Sequence, residues 1–302
     1  MNPQWYNKLM MEFNPSLLKQ LYQPPQTSHK GQNGKLLIIG GSKLFHAASL
    51  WSLKVASRIV DMVYYSSVPD NNQIVQKAKQ EFRDGIVIRR NQIEDYIKEA
   101  DCILIGPGLP RKEGQEEGDD DTKELTENLL EKYPKKKWVV DGGSLQTIDP
   151  TLLLGLKITP TLTPHEREFE TLFKLKVHPP AGRSNLKTTT QNLNLQEKIV
   201  GEMAKKYKSV ILLKSMEDIV CSPNECMYVR GGNAGMTKGG TGDVLAGLVA
   251  ALYCNNEAFL SAACGSYINK KAGEFLFERV GYYFNSSDLV DEIPSVMKSL
   301  IL

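Results

Sequence analysis

The chain is poor in the residues that point to a metal, a membrane or a polyanion. Four histidines and five cysteines are spread over 302 residues. The closest cysteines, Cys221 and Cys226, have no Cys/His pair to complete a zinc site. The odd cysteine set, with members near apolar runs that read as core packing, suits a reducing cytoplasm. A formal net charge of only +2 argues against nucleic acid or an anionic membrane surface as the principal partner. No apolar run approaches the ~20 residues of a membrane span. The first residues, Met1-Asn2-Pro3-Gln4-Trp5, lack a basic segment leading into an apolar one, so no signal peptide is expected. Internal repeats and a Pro/Gly-rich linker splitting the chain are also absent. A small-molecule ligand is the expectation that survives.

With 41% hydrophobic and 24% charged residues the chain can bury a full core without disulfides. Residues 1–33 are polar, contain Pro24-Pro25, and read as a surface arm or linker carrying one short helix over 15–22. From residue 34 onward, runs over 35–39, 62–68, 85–89, 102–105, 138–140, 159–163 and 209–214 read as strands, the aliphatic ones over 35–39 and 209–214 as buried strands of a parallel sheet. Helical spacing appears over 47–62, 93–99, 122–132, 193–207, 244–252, 258–271, 272–278 and 287–300. Pro223-Asn224 turns a hairpin between 218–222 and 226–229. A polar connection covers 176–192. Strands alternating with helices predict an α/β fold, a doubly wound and mostly parallel sheet with helices on both faces, in one domain over 34–302.

The chemistry is concentrated where strands end. The densest stretch is Gly231 to Asp243, closing in Gly239-Gly240-Thr241-Gly242-Asp243 and running into the apolar helix from Val244. Glycines there let backbone N–H groups approach a phosphate at a helix N-terminus. Asp243 is either an N-cap or an acid placed to take a proton from an attacking hydroxyl. Gly40-Gly41-Ser42 follows the first aliphatic strand but lacks the spacing of a dinucleotide fingerprint. Gly106-Pro107-Gly108 makes a backbone corner at the end of another strand, where open α/β sheets bind ligands. Lys214 ends a buried strand, which suggests an anion nearby. Thr163-Pro164-His165 opens a helix whose first turn holds Glu166 and Glu168, acids that suit the helix dipole. His165 is the one histidine in a plausible site; His29, His46 and His178 lie in polar loops or at helix starts. The acidic run between Arg111 and Asp121 reads as a solvated loop.

Taken together, Gly40-Gly41-Ser42, Gly106-Pro107-Gly108-Leu109, Val140-Asp141, Leu162-Thr163-Pro164-His165-Glu166, Leu213-Lys214 and the run from Asn233 to Leu245 resemble the ADP/ATP-dependent NAD(P)H-hydrate dehydratase family. The resemblance covers nearly everything from residue 34 and implies a ribokinase-like three-layer α/β/α sandwich. It implies repair of hydrated NADH or NADPH, with ATP or ADP phosphorylating the added hydroxyl, phosphate then leaving, and Mg2+ assisting. It also implies roles for residues. Asp243 would be the base, and Gly240, Thr241 and Gly242 the anion hole for the phosphoryl group. Ala47, Gly108, His165 and Asp243 would face the substrate. Lys214, Ser215, Asp218, Gly239 and Gly242 would face the nucleotide. No metal ligand is implied. The chain departs from the family pattern at Ser215 and Asp218, at Gly142 and Gly143 after Asp141, at Glu166-Arg167, and at Pro110. A homo-oligomer in the cytoplasm is expected. Two other readings share these motifs: a ribokinase-like kinase of a vitamin precursor or sugar, and a non-catalytic nucleotide sensor.

Overall fold

A computed structural model describes residues 11–177 and 189–302. The first ten residues, His178 and most of the polar connection expected over 176–192 lie outside the described residues. The strands are β1 (Met11–Glu12), β2 (Lys35–Ile39), β3 (Met62–Ser66), β4 (Ile86–Ile88), β5 (Cys102–Ile105), β6 (Lys137–Val140), β7 (Thr161–Leu162), β8 (Val210–Leu213), β9 (Asp218–Cys221) and β10 (Cys226–Val229). They form one sheet in the order β1-β10-β9-β8-β7-β6-β5-β2-β3-β4. Every pairing is parallel except those of β9 with β8 and with β10. Those two exceptions are the strands joined by short turns, which only antiparallel neighbours allow.

The helices are α1 (Ala47–Ala56), α2 (Pro69–Ala78), α3 (Ile93–Glu99), α4 (Thr122–Lys132), α5 (Gly142–Thr147), α6 (Glu166–Phe173), α7 (Thr189–Lys206), α8 (Thr241–Asn255), α9 (Ala258–Val280) and α10 (Ser286–Ile301). Side chains alternate across a strand, so each aliphatic run feeds two cores. Leu36 and Ile38 of β2 join the core built with α1, α8, α9 and α10. Leu37 and Ile39 join the opposite core, with α3, α4, α6 and α7. Helix α8 is apolar nearly all round because it lies beneath the sheet and between α1 and α9. At the α1 crossing, a Cβ on Gly247 would stand 2.6 Å from Ser52 Cα, so only glycine permits this approach.

The chain winds outward from β2 to β4, returns to β5 beside β2, and then winds the other way through β8. The switch between β2 and β5 opens a crevice at the strands' carboxyl ends, the usual ligand position in such sheets.

Four local features differ from the sequence reading. From residue 11 onward the N-terminal arm is not a surface appendage. Phe13, Leu18 and Leu21 are buried, Phe13 stacks on Tyr267 at 4.5 Å, and β1 extends the sheet beside β10. Helix α2 has no apolar stripe to read, because Asn71 and Asn72 fill its inner face. Asn72 accepts from Ser67 N at 3.0 Å and donates to Ile88 O at 3.2 Å. The helices expected over 258–271 and 272–278 are one, since nothing breaks the backbone between them. Cys221 and Cys226 stand directly opposite in the β9–β10 ladder and are joined by a disulfide, while Cys102, Cys254 and Cys264 are buried thiols. No helix among the described residues is long and apolar enough to cross a membrane.

Candidate active site

The crevice is lined first by backbone. Gly41 N donates to Pro107 O at 2.8 Å, tying the loop after β2 to the loop after β5. Gly108, at φ +72°, would bring a Cβ to 2.9 Å of Phe45 O and 3.2 Å of the Ala48 Cβ. Gly108 therefore lies against the start of α1, where Ala47 is exposed. Gly106, at φ +120°, has no room for a side chain because the Asp141 backbone occupies that space. Three strand ends are thus packed backbone to backbone on one side of the cleft.

The other side is charged. Lys214, just past β8, donates from Nζ to Asp141 Oδ1 at 2.8 Å and lies 3.8 Å from Glu168 Oε2. Thr163 Oγ1 donates to the same Asp141 oxygen at 2.8 Å. Asp141 and Glu168 are almost fully buried, so these contacts compensate charges that water does not reach. Burial works against the charge on Lys214, but the carboxylates of Asp141, Glu168 and Asp243 outweigh it and raise its pKa. Lys214 stays an ammonium ion.

Two carboxyls respond in the opposite sense. Burial, then repulsion from Asp141, push Asp243 up to about 7 against the attraction of Lys214. Burial also pushes Glu168 up to about 7, with Lys214 opposing and Asp141 adding to the rise. His165 starts α6 in a capping box: its Nδ1 accepts from Glu168 N at 3.2 Å, and its own N–H donates to Glu168 Oε2 at 2.9 Å. Burial and the nearby Lys214 lower the His165 pKa, which keeps the ring neutral at pH 7.

The glycine loop meets this cluster at the N-terminus of α8. The helix begins at Thr241, with Gly240 as its N-cap and no side chain capping it. Asp243 sits inside the first turn, so it is not the cap. The first N–H groups of a helix have no intrahelical acceptor, which makes this end a seat for an anion. Thr241 Oγ1 donates back to Met236 O at 2.7 Å and holds the loop closed beneath the helix. Ser52 Oγ donates to the Asp243 carbonyl at 2.7 Å, fixing this turn to α1.

Gly240 is held at φ +96°, with the Trp51 ring occupying the space of any Cβ and Ser286 Oγ 2.7 Å from it. Gly240→Ala is expected to lower stability by more than about 1 kcal/mol, read as a fall in melting temperature. Gly239→Ala is the contrast: its Cβ meets nothing within 4 Å and should leave the melting temperature nearly unchanged.

The structure therefore gathers Ala47, Gly108, His165, Lys214, Gly240, Thr241, Gly242 and Asp243 at the carboxyl ends of the central strands. A Cβ on Gly242 would lie 3.3 Å from Lys214 Nζ. Ser215 follows Lys214, and its N–H donates to Asp218 Oδ1 at 2.8 Å. Asp218 itself is buried behind that turn, with Oδ2 accepting from Ser266 Oγ at 2.7 Å. Gly239 is exposed on the loop. Sequence reasoning did not single out Glu168, Trp51 or Ser52 for the site. Only the spacing of Glu168 after His165, that of a capping box, signalled its contact.

Sheet order, helix layers and the glycine loop opening α8 define a ribokinase-like α/β protein. Solved structures of that fold superpose over nearly the whole chain. The ADP/ATP-dependent NAD(P)H-hydrate dehydratase from Bacillus subtilis does so with a TM-score of 0.76 at 20% identity, over 96% of this chain and 99% of that one. A family model described as NAD(P)H-hydrate dehydratase matches residues 36–295. The bifunctional NAD(P)H-hydrate repair enzyme Nnr of Methanocaldococcus jannaschii is 36% identical over 93% of this chain and 51% of its own length. The ADP-dependent (S)-NAD(P)H-hydrate dehydratase of Nitrosopumilus maritimus is 31% identical over 90% of this chain and 91% of its own. The chain belongs to the NAD(P)H-hydrate dehydratase family. It spans about half the length of the bifunctional relatives it matches.

Proposed function

We propose that this chain restores hydrated NADH or NADPH by transferring a phosphoryl group from ADP or ATP to the added hydroxyl. Elimination of phosphate then returns the reduced nicotinamide. The observation that carries this reading is Asp243, pushed up to about 7 beside Lys214 and seated in the uncapped first turn of α8. A base near neutrality can take the hydroxyl proton as the oxygen attacks phosphorus. Gly240, Thr241 and Gly242 present the glycine loop and helix N-terminus to the transferring phosphoryl group.

Ala47, Gly108 and neutral His165 face the hydrated ring on the crevice side. Lys214, Ser215 and Gly239 face the nucleotide, with Asp218 acting through the Ser215 N–H. The catalytic unit is assigned to residues 34–302. The activity belongs in the cytoplasm, where reduced nicotinamide cofactors turn over. The exposed aromatic end of α9, Phe277 with Tyr282 and Tyr283, fits a homo-oligomer.

Magnesium fits the donor set. Among the described residues no three side chains form a protein cage for a metal, but Mg2+ is commonly held by one or two carboxylates together with phosphate oxygens. Asp141 and Glu168 would be the carboxylates offering such oxygens to the ion, which would neutralise phosphate charge.

The test is to incubate the protein with hydrated NADH, Mg2+ and either nucleotide, and to follow the near-ultraviolet band of reduced nicotinamide. Its return with ADP or ATP supports the reading. No return with either nucleotide would sink it, and a stable phosphate ester in its place would mark a small-molecule kinase.

A further inference from the structure

Behind the turn that follows β8 lies a charged group that the proposed chemistry does not use. Lys270, in the middle of α9, is buried at 6% exposure. Its Nζ donates to the carbonyls of Met216 at 3.0 Å and Ser215 at 3.3 Å, and reaches that of Gly231 at 3.5 Å. It also forms an ion pair with Asp218 at 3.3 Å. Asp218 completes the set, holding Ser215 N at 2.8 Å through Oδ1 and Ser266 at 2.7 Å through Oδ2.

One buried cation thus ties the turn after Lys214 to the first glycine of the glycine loop, just beyond the end of the β9–β10 ladder where Asp218 stands opposite Val229. A trans peptide points its C=O and N–H in opposite directions. Holding the Ser215 and Met216 carbonyls inward on Lys270 therefore turns the N–H groups of Met216 and Glu217 outward. Met216 is 86% exposed beside that backbone, presenting an apolar thioether where the turn faces solvent. Outward N–H donors next to a polarisable apolar side chain suit an adenine base.

We propose that Lys270, paired with Asp218, is the positioning residue of the nucleotide site: it fixes the 214–217 turn against the glycine loop so that the turn can grip the nucleotide. This rests on the nucleotide-dependent reading above.

The test separates the two. Equilibrium binding of ADP and ATP is measured calorimetrically on the parent, on Lys270→Met and on Lys270→Met/Asp218→Asn, alongside KM for nucleotide and for hydrated NADH. Removing the lysine alone leaves a buried carboxylate unpaired. The double variant removes both charges, a change folded proteins commonly tolerate, and keeps the test valid if the single variant does not fold. The expected result is nucleotide affinity weakened at least tenfold in a folded variant, with KM for hydrated NADH within about threefold of the parent. Parent-like nucleotide affinity in the folded double variant overturns the proposal while leaving the proposed function standing. Weakening of both KM values together also overturns it, as general loosening of the fold. A parent that binds neither nucleotide refutes the proposed function itself.

Discussion

Asp243→Asn is expected to lower turnover of hydrated NADH by roughly 10³-fold, within the range that general bases contribute. Nucleotide affinity should stay within a few-fold of the parent. Asparagine keeps the size and most of the hydrogen bonding of aspartate but cannot accept the hydroxyl proton. The first turn of α8 is held from outside the side chain, by Ser52 Oγ on the Asp243 carbonyl and by Thr241 Oγ1 on Met236 O. The anion seat should therefore survive the substitution. Unchanged turnover in the asparagine variant would remove Asp243 from the mechanism.

The pH dependence follows from the same group. As base, Asp243 must be ionised, so kcat/KM should rise with pH through an apparent pKa of about 7. Glu168, also near 7, faces the same lysine. The limb therefore belongs to the pair rather than to either residue.

Stability should move the other way. Asp243 ordinarily titrates near 3.8 and is raised in the fold, so the folded chain binds this proton more tightly than the unfolded chain. Stability then falls as pH rises from 3.8 to about 7 and levels off above. Asparagine removes that penalty, so at pH 8 the variant should melt no lower than the parent. A lower melting temperature there would show that the carboxylate is held by contacts stronger than its environment suggests.

Much of the sheet is legible in the sequence because its central strands are buried on both faces and read as unbroken aliphatic runs. The run 35–39 needs no partner to be recognised. The glycine loop is legible for a similarly local reason, since Gly239-Gly240-Thr241-Gly242 is disfavoured inside a helix and stands directly before an apolar helical run. What escapes is made by partners distant in sequence. Asp141 and Lys214 each stand out at a strand end, yet their 2.8 Å contact spans 73 residues and leaves no periodic trace. Glu168 is indistinguishable in sequence from an acid placed for the helix dipole, and only the fold brings it to Lys214. Phe13 and Leu18 sit in a polar segment and gain their burial from α9 and α10. Asp218 looks like a family departure on the nucleotide side until Lys270 and Ser266 appear behind it.

Lys214→Met carries the largest expected effect on stability. Among the described residues the lysine is the one cation in direct contact with Asp141, whose carboxylate is otherwise met by the Thr163 hydroxyl. Removing one member of a buried pair costs about 3–5 kcal/mol because the other charge stays desolvated. For a chain of this size that is a fall in melting temperature of roughly 5–8 °C. Asp141→Asn in the same molecule removes the stranded charge and should restore most of the loss, which distinguishes charge compensation from simple packing of the lysine stem. A double variant that melts as low as the single one would assign the effect to the stem. The substitution should also move the kinetics. Lys214 is the attraction that holds Asp243 down, so without it the carboxyl is driven higher and the acid limb of kcat/KM shifts toward alkaline pH. An unshifted limb in the folded Lys214→Met variant would mean that the ammonium group does not act on the base, whereas in the double variant the loss of the Asp141 repulsion offsets the loss of the lysine. A shifted limb would show one lysine both compensating Asp141 and setting the proton affinity of Asp243.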